Sequence, residues 1–191
     1  MMYYSCKTKK AANTLCVTVI QNSLNTPVLS KSEIKEIKSL FEKNRIDDAK
    51  YQFYRFNKDD LGFTQVRCYQ YANGLRIFTA DLIFHFNQSG EYFLLSGDQI
   101  NSIKFDTQPS MDRNRVAEIF FEKIAGEKAS MVNAGILKGC FEVELGYVGL
   151  DDSNKKFAKA WKVKPAGKDY PFAYINDDNA EIIFYDNGVR T

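Results

Sequence analysis

Val66-Arg67-Cys68-Tyr69-Gln70-Tyr71-Ala72-Asn73-Gly74-Leu75-Arg76-Ile77-Phe78-Thr79-Ala80-Asp81-Leu82-Ile83-Phe84-His85-Phe86-Asn87 sets β-branched and aromatic residues on both sides of one Asn-Gly pair. Such side chains suit a half-buried pleated surface, and Asn-Gly accepts the positive φ angles of a two-residue hairpin turn. The spacing therefore predicts strands over Phe63 to Tyr71 and Leu75 to Phe86. Downstream, Asn87-Gln88-Ser89-Gly90 turns the chain into Glu91 to Leu95. Upstream, Asp59-Asp60-Leu61-Gly62 separates the hairpin from a run in which Tyr51, Phe53 and Arg55 alternate with Gln52, Tyr54 and Phe56. Connections this short join neighbouring strands, so the reading is a four-stranded antiparallel meander.

A helix precedes the meander. Ser30 with Glu33 three residues later forms a capping box, and Ile34, Ile37, Leu40 and Phe41 recur at helical spacing. The same order then restarts. Asn101 to Ser110, with Pro109, reads as a linker, and Ser110 as the cap of a second helix carrying Val116, Ile119, Phe120 and Ile124 and ended by Gly126. Alternating Phe141, Val143, Leu145 and Tyr147 follow, then a strand from Phe157 to Lys164 and a hairpin of Phe172 to Asn176 with Glu181 to Tyr185. The predicted fold class is α+β: two tandem cystatin-like units, each a helix packed on a curled antiparallel sheet. Their bounds are 28–105 and 110–191, behind an N-terminal segment 1–27 that holds the short β-prone run Leu15 to Ile20.

Composition narrows the function. The 191 residues are 45% hydrophobic, enough for a packed core, and 26 Lys and Arg against 24 acidic residues leave a formal charge of +2. No stretch concentrates basic residues as a phosphate-binding face does, so nucleic acid is not an expected partner. No apolar run approaches the roughly 18 to 20 residues that span a bilayer. Tyr4-Ser5-Cys6, followed by Lys7, Lys9 and Lys10, looks like the end of a bacterial lipoprotein signal, with Cys6 as the lipid-carrying residue. Membrane contact is expected only through that anchor, and the location is the cell envelope or the exterior. Cys16, Cys68 and Cys140 lack the close spacing of a zinc or redox site and read as packing residues; a disulfide between two of them suits an exported protein, with no pair favoured.

The quoted stretch, with Ser89-Gly90 and Ser96-Gly97 after it, resembles the fungalysin/thermolysin propeptide (FTP) motif: a strand with a Gln, a Gly-containing turn, a long apolar strand and a second Gly turn. Ala160-Trp161-Lys162-Val163, then Pro171 to Asp177 leading into Glu181-Ile182-Ile183, resembles a PepSY domain. The 28–105 unit is thus propeptide-like and the 110–191 unit PepSY-like. Two positions depart from the family pattern: Arg76 stands where a Pro is common, and the usual glycine of the last hairpin is replaced near Ala180. In that family such paired domains precede a zinc protease domain, template its folding and cover its cleft. The resemblance implies a free-standing, non-enzymatic module without a peptidase domain that binds or inhibits a protein partner, a secreted zinc protease foremost. A small-ligand or peptide-binding envelope sensor, with a cavity between helix and sheet, is the alternative.

Residue chemistry agrees with a binding role. The H-E-x-x-H zinc motif needs two His, and His85 is the only one in the chain. His85 sits inside an apolar strand and reads as a strand His facing solvent or hydrogen-bonded beside the sheet. Asp151-Asp152-Ser153-Asn154 and Asp177-Asp178-Asn179 read as turns, since neither has the ligand spacing of a calcium loop. Glu142 and Glu144 share a strand face and read as solvent-facing. No catalytic residue, cofactor or metal ligand is expected. The candidate partner-binding residues are Tyr51, Tyr54, Tyr69 and Tyr71, because Tyr offers large contact area at low entropic cost, together with Trp161, whose other reading is core packing.

Overall fold

The computed structural model describes residues 15–20, 29–101, 103–104, 106–126, 139–151 and 156–189. Cys6 and Asp152 to Asn154 lie outside them. The elements run β1 (Val17–Val19), α1 (Lys31–Lys43), β2 (Tyr51–Lys58), β3 (Thr64–Ala72), β4 (Leu75–Phe86), β5 (Tyr92–Ser96), α2 (Arg113–Gly126), β6 (Phe141–Gly149), β7 (Phe157–Pro165), β8 (Phe172–Asn176) and β9 (Ile182–Asp186). The fold is α+β, as expected.

Its sheet is one, however, and mixed. Nine strands form a single curled sheet in the order β2-β3-β4-β6-β7-β8-β9, with β5 added to β4 and β1 to β6. The meander β2 to β5 is antiparallel throughout, and so is the run β6 to β9. Between them, β4 and β6 pair in parallel through Arg76 with Gly146 and Ile77 with Tyr147. β1 also joins β6 in parallel, Val17 to Val19 lying against Phe141 to Val143. Two tandem cystatin-like sheets are therefore not what the structure shows: hydrogen bonding is continuous from β2 to β9.

Each helix forms where the apolar spacing places it. At the start of α1, the Ser30 hydroxyl accepts from the Glu33 amide at 3.3 Å and the Glu33 carboxylate accepts from the Ser30 amide at 2.8 Å, a complete capping box. Ile37 and Phe41 then bury against Phe53, Val66, Cys68, Leu82, Phe84 and Phe86. Val116, Ala117, Phe120 and Ile124 of α2 bury against Phe141, Val143, Trp161, Val163, Ala173 and Ile175. The cap of α2 is Asp112, not Ser110: the Asp112 carboxylate accepts from the Asn114 amide at 2.8 Å, while Ser110 is held by the last hairpin, as described below.

The segment read as a linker, with Ile100 just before it, is bonded to β3 and the hairpin turn. Gln70, the strand Gln of the motif, is buried, donates to the Ile100 carbonyl and accepts from the Ile100 amide at 2.9 Å. Asn73 donates to the Ile103 carbonyl at 3.1 Å. Ile100 and Ile103 thereby bury with Ile77, Ala80 and Tyr147, a cluster placed where β4 meets β6. At that junction Gly146 leaves no room for a side chain: an added Cβ would lie 2.6 Å from the Arg76 carbonyl oxygen and 2.6 Å from the Phe78 ring. Gly146→Ala is expected to destabilise the chain by about 1–3 kcal/mol, as overpacking does; urea unfolding with an unchanged midpoint would contradict the close approach of β4 to β6.

Candidate functional site

Strand pleating sends alternate residues to opposite faces. In β6, Phe141, Val143 and Leu145 turn toward α2, which leaves Glu142, Glu144 and Gly146 on the helix-free face. In β3 and β4, Cys68 and Leu82 turn toward α1, which leaves Tyr69 and its partner Asp81 on the helix-free side. Aromatic side chains connect along this face from one half of the sheet to the other.

The strip begins at Tyr54, whose hydroxyl donates to Asp81 at 2.7 Å and whose ring stacks on Tyr69 with centroids 4.2 Å apart. Burial, then the Asp81 contact, pushes the Tyr54 phenol up to about 12. The Arg76 guanidinium lies 3.4 Å above the Tyr69 ring, a cation–π geometry. Phe78, two residues on, reaches over Gly146 and stacks on Tyr174 at 5.2 Å. Tyr174 continues to Phe172 at 5.5 Å and to Phe184 at 6.0 Å. Phe184 is 48% exposed. Rings that hold one another while keeping an edge wet offer rigid contact area at little entropic cost, the property that concentrates aromatics and Arg at protein interfaces.

The break between β1 and β4 along one edge of β6 opens two adjoining clefts. One, of about 250 Å³, is lined by Tyr69, Arg76, Glu142, Glu144, Lys162 and Lys164 together with Ile20 and Asp169. The other, of about 210 Å³, shares Ile20, Arg76 and Glu144 and is otherwise walled by Val19, Leu75, Leu145 and Trp161. Both lie at the strand break. Among the described residues, the cores between each helix and the sheet hold fully buried side chains, and these two clefts lie outside them.

Of the residues singled out from sequence, Tyr54 and Tyr69 are brought together. Tyr51 and Tyr71 are buried instead, and only 5% and 2% exposed. The four do not form one exposed face: Tyr51 packs in the α1 core, whereas Tyr71, paired with Arg76 and donating its hydroxyl to Gln52, lies buried on the Tyr69 side of the sheet. Trp161 packs in the α2 core, and its indole Nε1 donates to Asp177 at 2.6 Å. Glu144 is not solvent-facing; it is 6% exposed. Glu142 pairs with Lys164 at 3.4 Å. His85 bonds the Ser96 hydroxyl at 3.0 Å across β4 and β5, hydrogen-bonded beside the sheet. Cys68 is buried and free, its thiol pushed up by burial. Cys16 and Cys140 form a disulfide, the pair that the sequence left unchosen, so only Cys68 is a packing residue. That bond points to an extracytoplasmic protein.

Sequence reasoning missed one cluster altogether. The Asp177 carboxylate is buried and accepts from the Ser110 amide at 2.7 Å and the Met111 amide at 3.1 Å, besides the indole. Lys159, also buried, places its ammonium 3.2 Å from Asp177 and 3.0 Å from Asp106. Burial would raise the Asp177 pKa, but the two amides, the indole and Lys159 more than offset it and hold the carboxyl below its ordinary range. Lys159 is shifted up, because its two carboxylates outweigh its burial. The available signal was Lys159 itself, a charge flanked by Ala158 and Ala160 and in step with Trp161 and Val163 rather than with the outward Lys162 and Lys164. This cluster ties the last hairpin to the entrance of α2. Among the described residues, no group of three or more His, Cys, Asp or Glu is placed to hold a metal ion, and no helix is long and apolar enough to cross a membrane.

The strand Gln bonded to Ile100 and the Asn-Gly hairpin between β3 and β4 both fall in the stretch that resembles the propeptide motif. Residues 49–99 carry the Fungalysin/Thermolysin Propeptide Motif. Among solved structures, the Bacillus megaterium YpeB C-terminal domain is similar at 10% identity and a TM-score of 0.41, over 88% of this chain and 69% of that one. No curated protein matches the sequence. What the family comparison identifies is a propeptide-like motif over those residues.

Proposed function

We propose that this chain is a non-enzymatic, exported binding module that resembles a protease prosegment and binds or inhibits a protein partner, a secreted zinc protease foremost, on the helix-free face of its sheet. The observation that carries the reading is the aromatic strip from Tyr54 to Phe184, which runs unbroken across the β4–β6 junction. A prosegment-like unit over 28–105 and a PepSY-like unit over 110–191 would then present one shared surface. A second exposed patch supports it: Tyr92, Phe93 and Leu94 of β5, beside Leu61 and Phe63, are exposed on a strand that pairs with β4 alone among the described strands. Edge strands and apolar patches of this kind accept another chain. Lipid attachment at Cys6 belongs to the same proposal, since it would hold the module at the envelope beside exported proteins.

Affinity capture from the extracytoplasmic fraction tests it. The wild-type chain is expected to retain a peptidase or another exported protein, and Tyr69→Ala/Phe184→Ala to retain at least about tenfold less, as loss of two interface aromatics implies. Equal retention by both chains, or no specific protein on either, would overturn the reading.

A further inference from the structure

Two buried polar atoms of opposite character border the adjoining clefts. Glu144 is 6% exposed and lines both, yet its Oε1 has no hydrogen-bond partner among the described residues. Arg76 also lines both, and its buried Nε is likewise without one. A buried acceptor and a buried donor left unmade are each costly, so the site favours an occupant that donates to the first and accepts from the second.

Charge narrows the occupant. The larger cleft is balanced, with Arg76, Lys162 and Lys164 against Glu142, Glu144 and Asp169. A net-neutral occupant keeps that balance, whereas a lone anion or a lone cation breaks it. Within the balance the pairing is uneven. Across β6 and β7, Glu142 stands opposite Lys164 and Glu144 opposite Lys162. The first pair is closed at 3.4 Å, and Lys164 also reaches Asp169 at 3.4 Å, while the Glu144 Oε1 is left without a donor. Arg76 pairs with Gly146, two residues beyond Glu144 on β6. With a rise of about 3.3 Å per residue and strands about 4.8 Å apart, the backbones of Arg76 and Glu144 stand roughly 8 Å apart, a span suited to a small molecule that carries both charges close together. The second cleft continues from these two residues into walls of Val19, Leu75, Leu145 and Trp161, an apolar socket beside the charged pair.

We infer that the paired clefts bind a free apolar α-amino acid in its zwitterionic form. Its ammonium donates to the Glu144 Oε1, its carboxylate accepts from the Arg76 Nε, and its side chain fills the socket against Trp161. A peptide group within a chain is also neutral and holds a donor and an acceptor, but it brings no charge to either residue, and charge-assisted bonds are the stronger ones. Water can answer either orphaned atom but offers nothing to the apolar walls, and the socket's volume of about 210 Å³ is several times the roughly 30 Å³ share of one water molecule. The site depends on the strand break: β1 ends opposite Val143 and β4 begins pairing at Gly146, so Glu144 and Leu145 sit between them along β6. The inference goes beyond the protein-binding reading and does not rest on it.

Trp161 is the only tryptophan in the chain and lines the socket, so its fluorescence reports occupancy, and calorimetry reports any binding that leaves the indole unchanged. The full chain is titrated with leucine, with N-acetyl-leucine, which lacks the ammonium, with leucinamide, which lacks the carboxylate, and with glycine, which lacks the apolar side chain. Leucine is expected to bind saturably and each of the other three at least about tenfold more weakly, as loss of a charge-assisted bond or of a buried side chain implies. Glu144→Gln is expected to bring leucine down to the affinity of N-acetyl-leucine without weakening the latter, and Arg76→Gln to bring it down to that of leucinamide in the same way. These cycles separate direct contact from a general disturbance of the fold. No saturable binding by either readout leaves the clefts to water and overturns the inference, and so does equal binding of leucine and any one of the three analogues. If leucine fails while Tyr69→Ala/Phe184→Ala still lowers capture, the cleft inference alone falls. If leucine binds while capture is insensitive to those two aromatics, the face reading falls and the cleft stands.

Discussion

Asp177→Ala is expected to cost about 3–5 kcal/mol of folding stability, the range for removing one partner of a buried charge pair. The loss is large because four donors meet at this carboxylate. Without it the Lys159 ammonium keeps only the exposed Asp106 carboxylate and its neighbouring polar oxygens, while the Trp161 indole and the amides of Ser110 and Met111 lose their acceptor. The pH dependence follows from the sign of the shift. The folded pKa lies below the ordinary value of 3.8, so the stabilisation is fully present above that value and is lost as pH falls through the lower folded value. Urea unfolding of the wild type from about pH 5 down to about 2 should show this acid loss, and Asp177→Asn should start less stable and fall less steeply. An unchanged midpoint for Asp177→Ala at pH 7 would contradict the cluster.

The second large effect belongs to the disulfide. Cys16 and Cys140 are 124 residues apart in sequence and stand immediately before the paired strands β1 and β6. In the chain-entropy account, closing a loop that long restricts the unfolded chain by about 4–5 kcal/mol. Reduction, or the double replacement Cys16→Ser/Cys140→Ser, is expected to lower stability by roughly 2–5 kcal/mol. Cys68 should not substitute for either partner, since it is buried and its thiol is held in the protonated, inert form. Equal urea midpoints with and without reductant would show that the bond does not form in solution. The same bond holds β1, and with it Val19 and Ile20, as a wall of the clefts.

Local signals were legible where local physics decides. Asn73-Gly74 marked the hairpin because only a few residues accept its angles, and both take positive φ, 51° and 80°. The Ser30–Glu33 box marked α1, and the Asn101–Ser110 stretch was found at the boundary of two helix-then-sheet runs. The joining of those runs was not legible, because the parallel pairing of β4 with β6 rests on two residue pairs and on Gly146, whose lack of a side chain reads in sequence as a mere interruption. The tyrosine face was half legible. Tyr51 stands three residues before Tyr54, an odd offset that sends it to the α1 core, and Tyr71 shares the Tyr69 side but is covered there by neighbours distant in sequence. The remainder of the strip, Phe78 and Phe172 to Phe184, lay in strands too distant in sequence for their stacking to be read. Asp177 was taken for a turn residue, which it is, but its carboxylate is aimed inward at a lysine 18 positions earlier.

Site-specific photo-crosslinking tests the central claim most directly. A benzophenone side chain at position 184 would stand at the exposed end of the aromatic strip, and one at position 38 on the outer surface of α1. Irradiated in the extracytoplasmic fraction, the chain substituted at Phe184 is predicted to form a covalent adduct with an exported protein, and the chain substituted at Lys38 to form none. Adducts from position 38 with none from position 184 would place the partner on the helices and contradict the assignment of the open sheet face as the binding surface.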